Sequence, residues 1–323
     1  MMRFLLIPVL GLAPGLLWLW LIYRGNKNRP EPKGLVIRTF VFGMVATIPV
    51  SIIETALILP FIFAHIHDLQ NYVTYGFNNM SFAQTAYMSF VVAGFTEELS
   101  KFLVVRLSIY KSPYYDEPID GLVYSSAAAL GFASLENAGY LISYGWQTAL
   151  IRAPLTTLAH VTFSALWGYP LAQKKLKKKN STVVLWLGLL GAMVGHGLFD
   201  FLAFQENGTL NNWPVLVASV VFFGCLIAFF VFLIRRGQKT SPFNGMNAGL
   251  RIACPNCQAH IPDYASFCPS CGVKLPENRD GIPQYCGKCG AALNKDAGFC
   301  TSCGSRIIKK SGSDNEHRRR KIQ

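Results

Sequence analysis

Seven stretches of this sequence read as membrane-spanning helices, and that reading constrains every other inference. A span needs roughly 20 mostly apolar residues, and segments at about 4–23, 35–63, 81–110, 121–144, 150–172, 182–204 and 213–234 have that character. In hydrocarbon each backbone polar group must find its partner inside its own segment, so the segments are expected as helices. With 51% hydrophobic and only 15% charged residues, the chain falls outside the ordinary soluble globular class. The expected fold class is an all-α polytopic membrane protein of about seven transmembrane helices carrying small cysteine-rich C-terminal modules. The first apolar run resembles a signal peptide in length. It has only Arg3 ahead of it, no small-residue cleavage pattern and a basic segment behind, so it reads as a retained first helix.

The charges give this bundle an orientation. The net charge of +13 could suggest nucleic acid, but the basic residues cluster beside apolar runs and in a tail. Arg24, Lys27, Arg29 and Lys33 follow the first helix, and Arg106 and Lys111 follow the third. "KKLKKK" (174–179) follows the fifth, while Arg235, Arg236 and Lys239 follow the seventh. The alternate loops "HIHDLQNYVTYGFNN" (65–79) and "FQENGTLNNW" (204–213) contain neither Lys nor Arg, and the connection at 145–152 holds only Arg152. The positive-inside rule then puts the N-terminus outside and the C-terminus in the cytoplasm. The expected domains are a membrane unit over 1–236, a linker over 237–252, cysteine-rich modules over 253–273 and 285–305, and a basic tail over 306–323.

The soluble part is an internal repeat. Cys254, Cys257, Cys268 and Cys271 share the spacing C-x2-C-x10-C-x2-C with Cys286, Cys289, Cys300 and Cys303. Four thiolates in two knuckle pairs suit tetrahedral zinc and resemble double zinc ribbon modules; they leave no coordination position open, so both zinc ribbons read as structural. A unit of about 20 residues cannot bury a sufficient core, and metal supplies most of its folding free energy. A disulfide framework is the competing reading, disfavoured in a reducing cytoplasm. His260 lies between ligand pairs whose shells are already full and reads as a surface residue. With no aromatic-interleaved basic stripe nearby, the ribbons point to a cytoplasmic protein partner rather than to nucleic acid.

Charged side chains at bilayer depth cost on the order of 2.5–3.5 kcal/mol each, which makes them functional candidates. The third helix carries Glu97, Glu98 and Lys101, and the fourth carries Glu136 and Asn137. The fifth carries His160 and Ser164, and the sixth His196 and Asp200. Glu97 and Lys101, like His196 and Asp200, are four residues apart and share a helix face. Counting along each helix at about 1.5 Å per residue puts all four groups roughly 20–25 Å from the basic side, at one level. A shared polar cavity would produce that coincidence. The bland alternatives are interhelical hydrogen bonds for the histidines, a Glu98–Lys101 neutralising pair, and an Asp200 that only orients His196. Glu54, in "IPVSIIETALILP", is left open between packing and a proton relay.

"EELSK" (97–101), "FASLEN" (132–137) and "HGLFD" (196–200) resemble the EExxK, FxxxEN and HxxxD motifs of the PrsW family of intramembrane proteases. His160 falls on the intervening helix where that family also has a histidine. The family is similar to a larger set that includes the CAAX prenyl endopeptidases and bacteriocin-immunity-type membrane proteins. The resemblance covers about 35–235 and is silent on the ribbons. It implies a peptide hydrolase of a prokaryotic plasma membrane whose substrate is a membrane-anchored protein, of which anti-sigma factors are the bacterial example. It also implies roles: Glu97 as general base on water, Glu98 as a second polar anchor, and His160 orienting that water. His196 with Asp200 would face the oxyanion, and Glu136 with Asn137 would complete the cavity. His160, His196 and a carboxylate could alternatively hold a catalytic zinc, as the family's metalloprotease label suggests, although no H-E-x-x-H pair is present. Two other readings compete: a proton-coupled transporter, and a non-catalytic sensor or scaffold working through the ribbons.

Overall fold

The computed structural model describes residues 2–26, 30–64, 80–205, 213–241 and, with short breaks, 250–304. The Lys/Arg-free loop at 65–79, most of the one at 204–213, the linker at 242–249 and the basic tail lie outside the described residues. The described chain begins with α1 (Met2–Gly25) and α2 (Lys33–Ala64). A composite third rod follows: α3 (Phe82–Ala86), a π-helix (Tyr87–Phe95) and α4 (Thr96–Ser108). Then come α5 (Pro118–Tyr144), α6 (Trp146–Lys175), α7 (Ser181–Gln205) and α8 (Trp213–Thr240).

Local chemistry fixes the boundaries of these rods. Ser81 accepts from the Gln84 backbone N–H while the Gln84 side chain accepts from the Ser81 N–H, a capping box that starts α3. At the head of α5, Glu117 and Asp120 form the equivalent box and Pro118 stands in the first turn, where its missing N–H costs nothing. Gly145, at φ 82°, turns the chain from α5 directly into α6.

The expectation of seven spans meets seven helical rods among the described residues. Of these, α2 over Lys33–Pro60, α7 over Ser181–Ala203 and α8 are long and apolar enough to cross a membrane on composition alone. The third rod, α5, α6 and α7 carry the ionisable groups of the cluster, and those groups are buried or mostly buried between helices. Central α5 packs against α1, α2 and α6 and is enclosed on nearly every side from Ile119 to Ala133. Large apolar side chains point outward instead, among them Ile52, Leu187 and Val220, each more than 60% exposed. Polar groups inside and hydrocarbon outside is the arrangement a bilayer selects.

Beyond the helices, β1 (Leu250–Ala253), β2 (His260–Pro262), β3 (Gln284–Cys286) and β4 (Ala292–Leu293) form one antiparallel sheet in the order β2-β1-β3-β4. Strand β1 pairs with β2 of the first ribbon and with β3 of the second, so one sheet spans both ribbons. His260 takes part in the join, with its ring stacked on Tyr285 at 3.9 Å.

Candidate active site and metal centres

Four helices deliver their ionisable groups to one place. Lys101, fully buried on α4, is the hub: its Nζ lies 3.0 Å from Glu97 Oε2, 2.8 Å from Glu98 Oε1 and 2.8 Å from His160 Nδ1 of α6. On its other edge His160 presents Nε2 to Glu136 Oε2 of α5 at 3.0 Å. An ammonium has only donors, so His160 Nδ1 must accept and the ring proton sits on Nε2, facing Glu136. From α7, His196 Nε2 lies 3.8 Å from Glu97 Oε2 and 3.5 Å from Asp200 Oδ2. The two imidazoles meet edge to face at 5.0 Å, and Phe163 stacks on His196 at 5.0 Å.

The adjacent glutamates are engaged very differently. Glu98 is wholly buried and both its oxygens are occupied: Oε1 by Lys101, with His196 Nδ1 3.3 Å away, and Oε2 by Ser164 Oγ and Trp167 Nε1, each donating at 3.0 Å. Glu97 faces Lys101 and both histidines through Oε2 alone. Side-chain exposure rises from 0% at Glu98 through 9% at Glu97 to 20% at Glu136 and 19% at Asp200, so the cluster has a closed floor and an open side.

Backbone packing makes this convergence possible. The π-helix lies against α7 so closely that a Cβ on Gly94 would collide with the Met193 carbonyl, and one on Gly197 with Phe90. Small residues at such crossings let helices approach in the absence of a hydrophobic driving force. Gly197 directly follows His196, and Gly94 lies three residues before Glu97, so the crossing sets the distance between the Glu97 carboxylate and the His196 imidazole. π-Helical turns are costly and recur at functional sites.

Glu97, Glu98, Lys101, Glu136, His160, Ser164, His196 and Asp200 therefore converge, while Asn137 donates its amide to Thr157 Oγ1 at 2.9 Å, one turn from His160. Sequence reasoning missed Trp167 and Thr157, although 157, 160, 164 and 167 form one helical stripe on α6. It also missed Thr96, whose hydroxyl lies 3.1 Å from Glu54 Oε1 and so ties α2 to the π-to-α junction beside Glu97.

The donor set also has the composition of a metal site. One ligand atom each from Glu97, His160 and His196 falls within 4.8 Å of the others, and two histidines with a carboxylate is a composition catalytic zinc uses. Lys101 touches two of those three residues and would have to release His160 to a metal.

The cysteine sites are simpler. In each ribbon the four sulfurs lie within 4.8 Å of one another, and every cysteine is free of disulfides. Cross-knuckle Sγ···Sγ distances of 3.7 and 3.5 Å in the first ribbon and 3.7 and 3.6 Å in the second match a tetrahedron. Metal–sulfur bonds of about 2.3 Å give edges of about 3.8 Å. Each knuckle closes with an N–H returning at 2.8 Å to the carbonyl of the pair's first cysteine, from Gln258, Gly272, Gly290 or Gly304. All four residues have positive φ. Burial pushes the Cys268 thiol up to about 12, while the Asn256 side chain holds Cys271 down to about 6.

Comparison with known proteins matches the sequence of this chain to two families. Residues 31–235 match the PrsW family intramembrane metalloproteases, and residues 254–304 match the double zinc ribbon. Protease PrsW of Geobacillus kaustophilus (strain HTA426) is 33% identical over 61% of this chain and 79% of its own length. Protease PrsW of Bacillus subtilis (strain 168) is 29% identical over 73% of this chain and 96% of its own. Protease PrsW of Clostridioides difficile (strain 630) is 28% identical over 66% and 83%. No solved structure matches the chain.

Proposed function

Because the chain belongs to the PrsW family of intramembrane proteases, we propose that it cleaves a membrane-anchored protein with Glu97 as the base that activates water. The observation that carries this is the inequality of the two adjacent glutamates. Glu98, with both oxygens taken, holds Lys101 in place; Glu97 keeps contact with both imidazoles at the edge of the open side.

In the reaction, Glu97 takes a proton from water as the water oxygen bonds to the scissile carbonyl carbon. The tetrahedral oxyanion then faces donors from His196 and the fixed positive charge of Lys101. Collapse breaks the C–N bond, and the Glu97 proton passes to the departing nitrogen. General base catalysis contributes about 10²–10⁴-fold, and one oxyanion donor about 10²–10³-fold. Asp200 orients His196, and Glu136 holds His160 in the tautomer that accepts from Lys101. A metal bound by Glu97, His160 and His196 would add Lewis-acid polarisation of the water or carbonyl.

The same proposal includes the topology read from the basic loops, with the N-terminus outside, all seven rods crossing the membrane and the ribbons in the cytoplasm. In that orientation Glu136 and Asp200 lie toward the external half, so the scissile bond enters from there. An anti-sigma-factor-like membrane protein is the substrate class the family suggests. The test is fragment analysis of membrane proteins in cells carrying wild type, Glu97→Gln or His196→Ala. Loss of one fragment in both variants, at normal protein levels, supports the assignment; retained cleavage in both removes it.

A further inference from the structure

The loop at 109–117 joins α4, which carries Glu97, Glu98 and Lys101, to α5, which carries Glu136. The first zinc ribbon reaches this loop. Tyr114 Oη donates to the Gly272 carbonyl at 2.7 Å, and the Tyr114 ring lies 4.6 Å from that of Phe267. Both ribbon residues flank one metal-ligand pair: Phe267 precedes Cys268 and Gly272 follows Cys271. The Gly272 N–H returns to the Cys268 carbonyl at 2.8 Å, with φ at +77°, the turn that aims the pair's sulfurs inward. Tyr114 thus grips the backbone of a turn whose shape depends on metal.

The opposing surface is anchored to the helices. Pro30, Glu31 and Pro32 face Pro262 and Ala265 of the ribbon across a narrow cleft. The Glu31 carbonyl accepts from Tyr23 of α1 at 2.9 Å, and its Oε2 accepts from Tyr124 of α5 at 2.6 Å. Within the loop, Glu117 caps α5 and receives the hydroxyl of Ser241, just past the end of α8. Only residues 242–249 separate Ser241 from β1. A tether this short keeps the ribbon at an effective concentration on the order of millimolar, where one hydrogen bond and one ring pair suffice for docking.

We propose that the rim formed by Pro30–Pro32 and the 109–117 loop is the docking surface for the zinc-folded first ribbon, which clamps the connection between the two acid-bearing helices. Zinc occupancy of the Cys254, Cys257, Cys268 and Cys271 site is thereby linked to the order of that connection. The inference concerns docking alone and stands whether or not Glu97 proves to be the base.

Hydrogen exchange on the full-length, zinc-loaded protein in detergent tests it, with zinc counted in each sample. Cys268→Ser removes a ligand of the first site, and Tyr114→Ala removes the grip while leaving all eight cysteines of the two sites in place. Both variants should raise exchange of the 109–117 amides by about tenfold or more, as expected for a segment released from a contact. Tyr114→Ala should still hold two zinc ions, and Tyr114→Phe, which keeps the ring, should fall between it and wild type. Unchanged exchange in Cys268→Ser or in Tyr114→Ala overturns the clamp, as does loss of zinc from Tyr114→Ala.

Discussion

Lys101 Nζ stands 2.8 Å from His160 Nδ1, so a lysine of α4 donates to an imidazole of α6 between two glutamates that it also contacts. Buried ion pairs are poor general stabilisers, so a cation placed there argues for a specific task. It neutralises the acid pair, fixes one histidine tautomer and leaves Glu97 beside both imidazoles. If Lys101 keeps His160, zinc analysis of the whole protein should return two ions per chain, both in the cysteine sites. A third ion, retained when the ribbon cysteines are replaced, would show that a metal has taken His160 from Lys101.

The two glutamates should separate stability from chemistry. Glu98→Gln disrupts a fully buried network of Lys101, Ser164 and Trp167 and should cost roughly 3–5 kcal/mol, the range for breaking a buried pair. Glu97→Gln should cost distinctly less, because it leaves the Glu98 bonds to Lys101, Ser164 and Trp167 in place. Thermal unfolding of the two purified variants side by side checks the ordering.

Gly94→Ala and Gly197→Ala each push the π-helix away from α7. Overpacking of this kind costs typically 1–3 kcal/mol. Separation of His196 from Glu97 by about 1 Å would slow cleavage on the order of 10²-fold. A cleavage rate unchanged in both variants would show that the crossing does not set the catalytic distance.

Gln258 closes its knuckle at φ 60°, where the three equivalent positions have glycine. The left-handed region costs a non-glycine residue about 1 kcal/mol. Gln258→Gly should therefore tighten zinc in the first ribbon by about fivefold, measured by competition with a chromophoric chelator.

Zinc affinity of that ribbon should also climb with pH. Cys268, pushed up to about 12, is protonated at neutral pH without metal and must release its proton on binding. Cys271, held down to about 6, is already a thiolate above that value and adds to the pH dependence only below it. Chelator competition across pH 6 to 8 should give affinities rising with pH; a flat profile would contradict these assignments.

Much of the site was legible because its information is local. The four-residue spacing of Glu97 and Lys101, and of His196 and Asp200, fixes a shared helix face, and counting along each helix fixes depth. The Cys254 and Cys286 repeats carry their metal geometry in their spacing. Trp167 and Thr157 were hidden because a tryptophan and a threonine in an apolar helix read as packing until Glu98 and Asn137 are placed against them. The Thr96–Glu54 contact and the Tyr114–Gly272 grip join residues far apart in sequence, and no periodicity reports such pairings. Span count by composition was hardest for α5 and α6, where the buried polar groups lower the apolarity by which spans are recognised.

The most direct test of the central claim is the rate of substrate cleavage by purified Glu97→Gln, compared with wild type under conditions where both are folded. The account predicts a fall of at least about 10²-fold. Cleavage by Glu97→Gln at the wild-type rate would contradict it.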